Sequence, residues 1–333
     1  MTRVVDVLPP ATEAQIDAIR IAPRTATAHR ALLADLDCMN AVQVGGQGPS
    51  TPLPADPRII AWNVERCLFP KETAAQVAAH GADIALLSEV DCGMARTQQR
   101  HTTADMADAL GMHYAFGVEF LELGLGSPTE LEFCEDNHNA RGWHGNAILS
   151  RTPFKRVEML RLDDHGHWFC PDFGADPGQP RVGGRMALMA VVDTETGSLC
   201  VVSTHLESNA GPEHRKEQFD RLLDAIDRFA LDMPVIIGGD LNTGNHVPPD
   251  YSWQSETLFA GAEARGYSWS GTPEGMSTRP SLITRHPERR MKLDWFATRG
   301  LQTTESVLIA SDATGQALSD HDAVLCRVTR EAV

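Results

Sequence analysis

The sequence contains no run of about 18 apolar residues, so it predicts no membrane-spanning helix. Its first residues, MTRVVDVLPPATEA, carry neither the apolar core nor the small-residue cleavage site of a secretory leader, and the expected compartment is the cytoplasm. The seven cysteines are odd in number and none stands in CxxC spacing, which argues for reduced thiols rather than a disulfide framework. Basic residues are in deficit, with 29 Lys and Arg against 45 Asp and Glu, a formal net charge of −16. Such a surface repels a nucleic-acid backbone, whose non-specific binding rests on Lys and Arg contacts, so nucleic acid is disfavoured as a partner. The same acidity suits a carboxylate site for a divalent cation.

What is present is enough apolar material for a large core: 333 residues, 42% of them hydrophobic. Residues 1–54 read as an N-terminal helical extension and linker. Thr12 to Gln15 has capping-box spacing, Ile16, Ile19, Leu32, Leu33 and Leu36 suggest two amphipathic helices, and a Gly/Pro/Ser-rich stretch runs from Gly45 to Pro57. Residues 55–333 form the main domain, with strands and helices following one another from Arg58. Among these, Arg185–Asp193 and Cys200–His205 read as a hairpin, Pro212 opens a helix to about Ala230, and Ser255–Arg265 reads as a helix. Hairpins mixed with crossover helices imply α/β layers with mixed sheets. Two irregular stretches, 123–144 and 163–184, exceed the usual loop length and read as ordered loops around a pocket.

The most informative stretch is GGDLN at 238–242, directly after the apolar run Met233–Ile237. It sets Asp240 and Asn242 at the end of a buried strand, two apart and so on one side of an extended chain. The arrangement recurs. Arg58–Trp62 ends at Asn63, Asp83–Ser88 at Glu89, and Cys200–Thr204 at His205. Asp294 begins an apolar strand, and Asp320 and His321 precede the last one.

The ordered set WN at 62–63, LLSEVD at 86–91, GNAILSR at 145–151, STHLE at 203–207, GGDLNT at 238–243, LDWF at 293–296 and SDHD at 319–322 resembles the endonuclease/exonuclease/phosphatase superfamily. The resemblance covers about residues 58–330 and implies a four-layer α/β sandwich, two packed mixed β-sheets flanked by helices. It further implies a phosphoesterase that uses Mg²⁺ or Mn²⁺ and attacks a phosphodiester or phosphomonoester with water. By that resemblance Glu89 is the principal metal ligand, with Asn63 beside it and Asp320 as a further candidate. Asp240 activates the water, Asn242 holds the phosphate or nucleophile, and His321 donates to a phosphoryl oxygen while Asp294 fixes its ring. His205 contacts the phosphate or protonates the leaving oxygen. Asn146 and Arg185 each have two readings, as substrate-binding residues or as partners of backbone groups and of an acid.

Two alternatives accompany this reading: a nuclease, which would need a basic groove, and a catalytically inactive binding protein of the same fold. The acidic residues of both long loops argue against a long polyanion and for a small or lipid-like phosphoester. His138, His144, His165, His167 and Cys170 match no closed tetrahedral spacing, which disfavours zinc; a few of them, with Trp143 and Trp168, are expected to shape the pocket.

Overall fold

The computed structural model describes residues 2–176, 178–286, 290–313 and 315–331. Its strands, in chain order, begin with β1 (Arg3–Val5), β2 (Ala41–Gly46), β3 (Arg58–Arg66), β4 (Ile84–Cys92), β5 (His113–Glu122) and β6 (Trp143–Ser150). Next come β7 (Arg156–Arg161), β8 (Arg181–Gly183), β9 (Met186–Thr194), β10 (Gly197–His205) and β11 (Val235–Asp240). The last are β12 (Asp294–Arg299), β13 (Leu301–Ile309), β14 (Asp312–Ala313), β15 (Gln316–Ala317) and β16 (Ala323–Arg330). The helices are α1 (Glu13–Ile21), α2 (Ala26–Asp35), α3 (Pro70–Ala79), α4 (Thr102–Leu110), α5 (Pro128–Leu131), α6 (Pro212–Phe229) and α7 (Leu258–Glu263).

One mixed sheet has the order β1-β2-β5-β6-β4-β3-β16-β13, with β8 pairing the far end of β5; the other has the order β12-β11-β10-β9-β7. Side-chain alternation builds the layers. On β3, Ile59 and Ala61 face the second sheet, where they meet the apolar cluster of Leu188, Val201 and Ile236, while Ile60 and Trp62 face the helices α1–α4. On β11, Ile236 points into the inter-sheet core, and Val235 and Ile237 pack under α6 and α7. The result is the expected four-layer sandwich. Helix α6 starts at Pro212 and buries Phe219, Leu222, Leu223, Ile226 and Phe229, the helical stripe that covers the second sheet.

Residues 1–54 hold the two expected helices, capped by Thr12 and Thr25. They also supply β1 and β2, which continue the large sheet beyond β5. Leu8, Ile19, Leu36 and Met39 are fully buried in its outer layer, and Gly45 and Gly46, read from sequence as the start of a linker, are strand residues. The β9–β10 hairpin turns at Glu195-Thr196, as expected. No helix among the described residues is long and apolar enough to cross a membrane.

Candidate active site at the strand ends

Strand register brings the functional side chains together. β10 and β11 run parallel with His205 opposite Asp240, and β11 runs antiparallel to β12 with Asp240 opposite Asp294. The two glycines before Asp240 serve different contacts. A Cβ at Gly238 would lie 2.7–2.9 Å from Phe296, Leu86 and Ala61, where the two sheets meet. A Cβ at Gly239, whose φ is +153°, would lie 1.9 Å from the Thr204 carbonyl oxygen of the neighbouring strand.

The other sheet contributes through two irregularities. Pairing of β3 with β4 shifts register after Asn63, and pairing of β4 with β6 shifts between Leu87 and Val90. Glu89 sits in that second bulge at φ +60°, a left-handed conformation that turns its side chain toward the cleft. Glu65, Arg66 and Cys67 are left-handed in succession, and this swings the Arg66 guanidinium onto Glu89.

The side chains form one network. The Asn63 amide donates to Glu89 Oε1 and to Asp240 Oδ2, each at 3.0 Å, while its Oδ1 accepts the Glu65 N–H at 3.1 Å. Asp240 Oδ1 accepts the Asn242 N–H at 2.8 Å. Its Oδ2 lies 3.5 Å from His205 Nε2 and 3.7 Å from His321 Nε2. His321 Nδ1 is 2.7 Å from Asp294 Oδ2, so the ring is fixed from behind with Nε2 forward. Burial opposes the charged imidazolium, yet the carboxylates of Asp294, Asp240 and Asp320 outweigh it and raise the His321 pKa well above the ordinary histidine range.

Glu89, His205, Asp240, Asn242, Asp320 and His321 line a cleft of about 290 Å³. Asn242 reaches it differently from the sequence expectation. It lies beyond the end of β11 at φ +51°, so two-residue alternation does not apply. Its amide donates to the Leu206 carbonyl at 2.9 Å, and its Oδ1 accepts from Asn245 at 2.8 Å.

Asn63 sits just behind the cleft, and Asn146 and Arg185 also lie behind its walls. Asn146 is fully buried and donates to the Met186 carbonyl at 3.1 Å. Arg185 pairs with Glu119 at 3.1 Å and Glu207 at 3.4 Å, lies 2.8 Å from His205 Nδ1, and donates to Ser208 Oγ at 3.0 Å. Its partner Glu119, buried but flanked by His205 and Arg185, is held down to about 2. Thus Arg185 touches the cleft through His205 and Ser208. The histidines and tryptophans of the long loops do not line the cleft, contrary to expectation. His144 is buried on Asp91 at 2.9 Å, Trp143 packs within the outer core, and Trp168 acts at one remove, donating to Glu207 at 3.1 Å. Sequence reading missed Arg66, Arg279 and Glu207 as neighbours of the site. Glu207 stood inside the STHLE motif and was legible there; Arg279 lies in a stretch without strand rhythm.

The sequence profile described as "Endonuclease/Exonuclease/phosphatase family" matches residues 60–321. The chain belongs to this family. Solved structures share its fold. One, described as an endonuclease/exonuclease/phosphatase from Beutenbergia cavernae, is 18% identical, has a TM-score of 0.59 and covers 83% of this chain and 72% of its own. The human Nocturnin catalytic domain with bound sulfate is 16% identical at TM-score 0.57, over 87% of this chain and 97% of that one. A mannosyl-6-phosphatase from Bacteroides thetaiotaomicron is 14% identical at TM-score 0.54, over 82% and 99%. No curated protein sequence matches the chain. Members of the family are generally hydrolases of phosphoesters and generally depend on a divalent metal, and the cleft's oxygen donors fit such an ion. Glu89 and Asp320 both face it with carboxylates, and a hard cation that keeps several waters needs only one or two protein carboxylates.

Proposed function

We propose that the chain hydrolyses a small phosphoester, diester or monoester, by water attack in this cleft, with Mg²⁺ or Mn²⁺ held by Glu89 and Asp320 beside Asn63. The observation that carries the reading is Asp240, whose Oδ2 faces two histidines and an amide while its Oδ1 is fixed by the Asn242 N–H. The bound cation would neutralise charge on the phosphoryl oxygens.

The protein's own groups divide the remaining work. Asp240 accepts a proton from the attacking water through Oδ2, the oxygen turned to the cleft. His321, held by Asp294 at Nδ1, presents Nε2–H to a phosphoryl oxygen on which charge builds. His205, braced by Arg185 and Glu119, contacts the phosphate or protonates the leaving oxygen. Asn242 keeps the carbonyl of Leu206 and the end of β11 in register beneath them.

Among the described residues Arg279 is the only Lys or Arg lining the cleft, and Asp322 pairs with it at 3.3 Å. That poverty of cations supports a small substrate over a nucleic-acid strand, whose backbone needs a row of them. The test is a panel of bis-aryl and mono-aryl phosphates, sugar phosphates, phospholipid and nucleic acid, each with Mg²⁺ or Mn²⁺. Turnover of a small ester is expected. Turnover confined to nucleic acid would replace this reading with a nuclease, and a folded protein inert on the whole panel would end it.

A further inference from the structure

A second group of donors lies outside the cleft. Asp163 follows β7, His165 and His167 stand on the loop after it, and His214 is in the first turn of α6. One donor atom from each, three imidazole nitrogens and a carboxylate oxygen, lies within 4.8 Å of the others. The rings converge, with centroids 4.7 Å apart for His167 and His214, 5.5 Å for His165 and His214, and 5.8 Å for His165 and His167.

Hydrogen bonding leaves this group incomplete. His167 is 8% exposed, and its Nδ1 is buried without a partner. A buried polar atom with no partner is costly, and a bound ion is one of the partners that would satisfy it. By contrast the carboxylate is oriented: the Gln218 amide donates to Asp163 Oδ2, and the His165 N–H approaches Oδ1 at 3.4 Å. Orientation of a ligating carboxylate by such outer contacts is what metal centres use.

We propose that Asp163, His165, His167 and His214 bind one zinc ion, a structural site distinct from the catalytic cation. Nitrogen-rich donors with one carboxylate select zinc over Mg²⁺, which prefers oxygen, so the two sites differ in chemistry. Tetrahedral zinc with bonds of about 2.0–2.1 Å sets its donors about 3.4 Å apart, so separations of up to 4.8 Å close by at most about 1.4 Å. Four protein ligands leave no open position, which makes the role structural. The ion clasps the loop to α6. That loop also carries Trp168, whose indole holds Glu207, the partner of Arg185 behind His205. Sequence spacing gave no sign of it because His214 comes from a helix far along the chain.

The test uses full-length protein stripped with EDTA and offered zinc or cobalt(II), in wild type, Glu89→Gln, His165→Ala and His214→Ala forms. Wild type and Glu89→Gln are expected to retain one zinc after gel filtration and to show the visible band of four-coordinate cobalt. Affinity is expected to fall about 10-fold or more in His165→Ala and about 100-fold or more in His214→Ala. If His214→Ala does not fold, His165→Ala decides, because its side chain is 47% exposed and its removal leaves the core intact. No zinc retained by folded wild type, zinc retained equally by His165→Ala, or zinc lost in Glu89→Gln would each overturn the proposal.

Discussion

Beneath β4 and β6, Arg96 is fully buried and meets Asp91 at 2.8 and 2.9 Å, Glu122 at 2.9 Å and Glu130 at 3.1 Å, and Arg66 adds a further cation on Glu130 at 2.7 Å. At the strand-end cleft the carboxylates of Asp240 and Asp294 face histidines instead, at 2.7–3.7 Å. The same residue types are used in both places. In the first, every acid is matched by a guanidinium that never loses its charge, and the His144 ring on Asp91 is held below the ordinary histidine range by burial. In the second, acids are matched by rings that can gain or release a proton. Acids locked to arginine hold structure, and acids that share protons with histidine can do chemistry. Arg66 links the regions, reaching Glu130 on one side and Glu89 on the other.

That contrast is open to breaking. The largest effect is expected from His321→Ala, which removes the forward Nε2. Turnover of a small phosphoester should fall by about 10²–10⁴-fold with the melting temperature little changed. A variant that kept most of its activity would move the donor role elsewhere. Arg96→Met should do the opposite, costing about 3–5 kcal/mol of stability because it leaves buried Asp91 without a guanidinium and takes one of two from Glu122 and Glu130, while folded molecules keep their turnover. Denaturant midpoints and rates per folded molecule separate the two. An unchanged midpoint would mean that the network contributes nothing measurable.

Asp294→Asn is a smaller perturbation of the cleft. The carboxylate helps raise the His321 pKa, so its loss lowers that pKa, and the alkaline limb of the activity profile should move to lower pH. A pH profile displaced upward would contradict the pairing. The smallest effect sharpens the other side. Burial is outweighed for Glu122 by Arg181 and Arg96, and its carboxyl is held down to about 2, as is that of Glu119 by His205 and Arg185. A depressed folded pKa gives stability that is present above the unfolded value, about 4.3, and is lost as pH falls toward 2. Wild type should therefore lose stability over that window, and Arg96→Met should lose less there. Equal acid slopes for the two would rule out Arg96 as a source of the Glu122 shift.

Much of the cleft could be read from sequence because its residues end apolar strands. Asn63, Glu89, His205 and Asp240 follow runs whose alternation also fixes the layers. Register then turns separate motifs into neighbours, as with His205 opposite Asp240. What escaped was set by contacts distant in sequence. Arg66 reaches Glu89 only through three successive left-handed residues, which no residue-type pattern announces. The three-residue β1 is too short to show alternation. Asp163 and His214 meet because the loop after β7 folds against α6. For the same reason Trp143 and Trp168, read as pocket walls, became core and support.

The most direct measurement of the central claim is steady-state hydrolysis of a bis-aryl and a mono-aryl phosphate by wild type and Asp240→Asn under saturating Mg²⁺ or Mn²⁺, with folding checked by circular dichroism. Wild type should turn over at least one ester, and Asp240→Asn should lose about 10²-fold or more while remaining folded. Equal turnover by the two proteins would place the chemistry away from Asp240 and contradict the account.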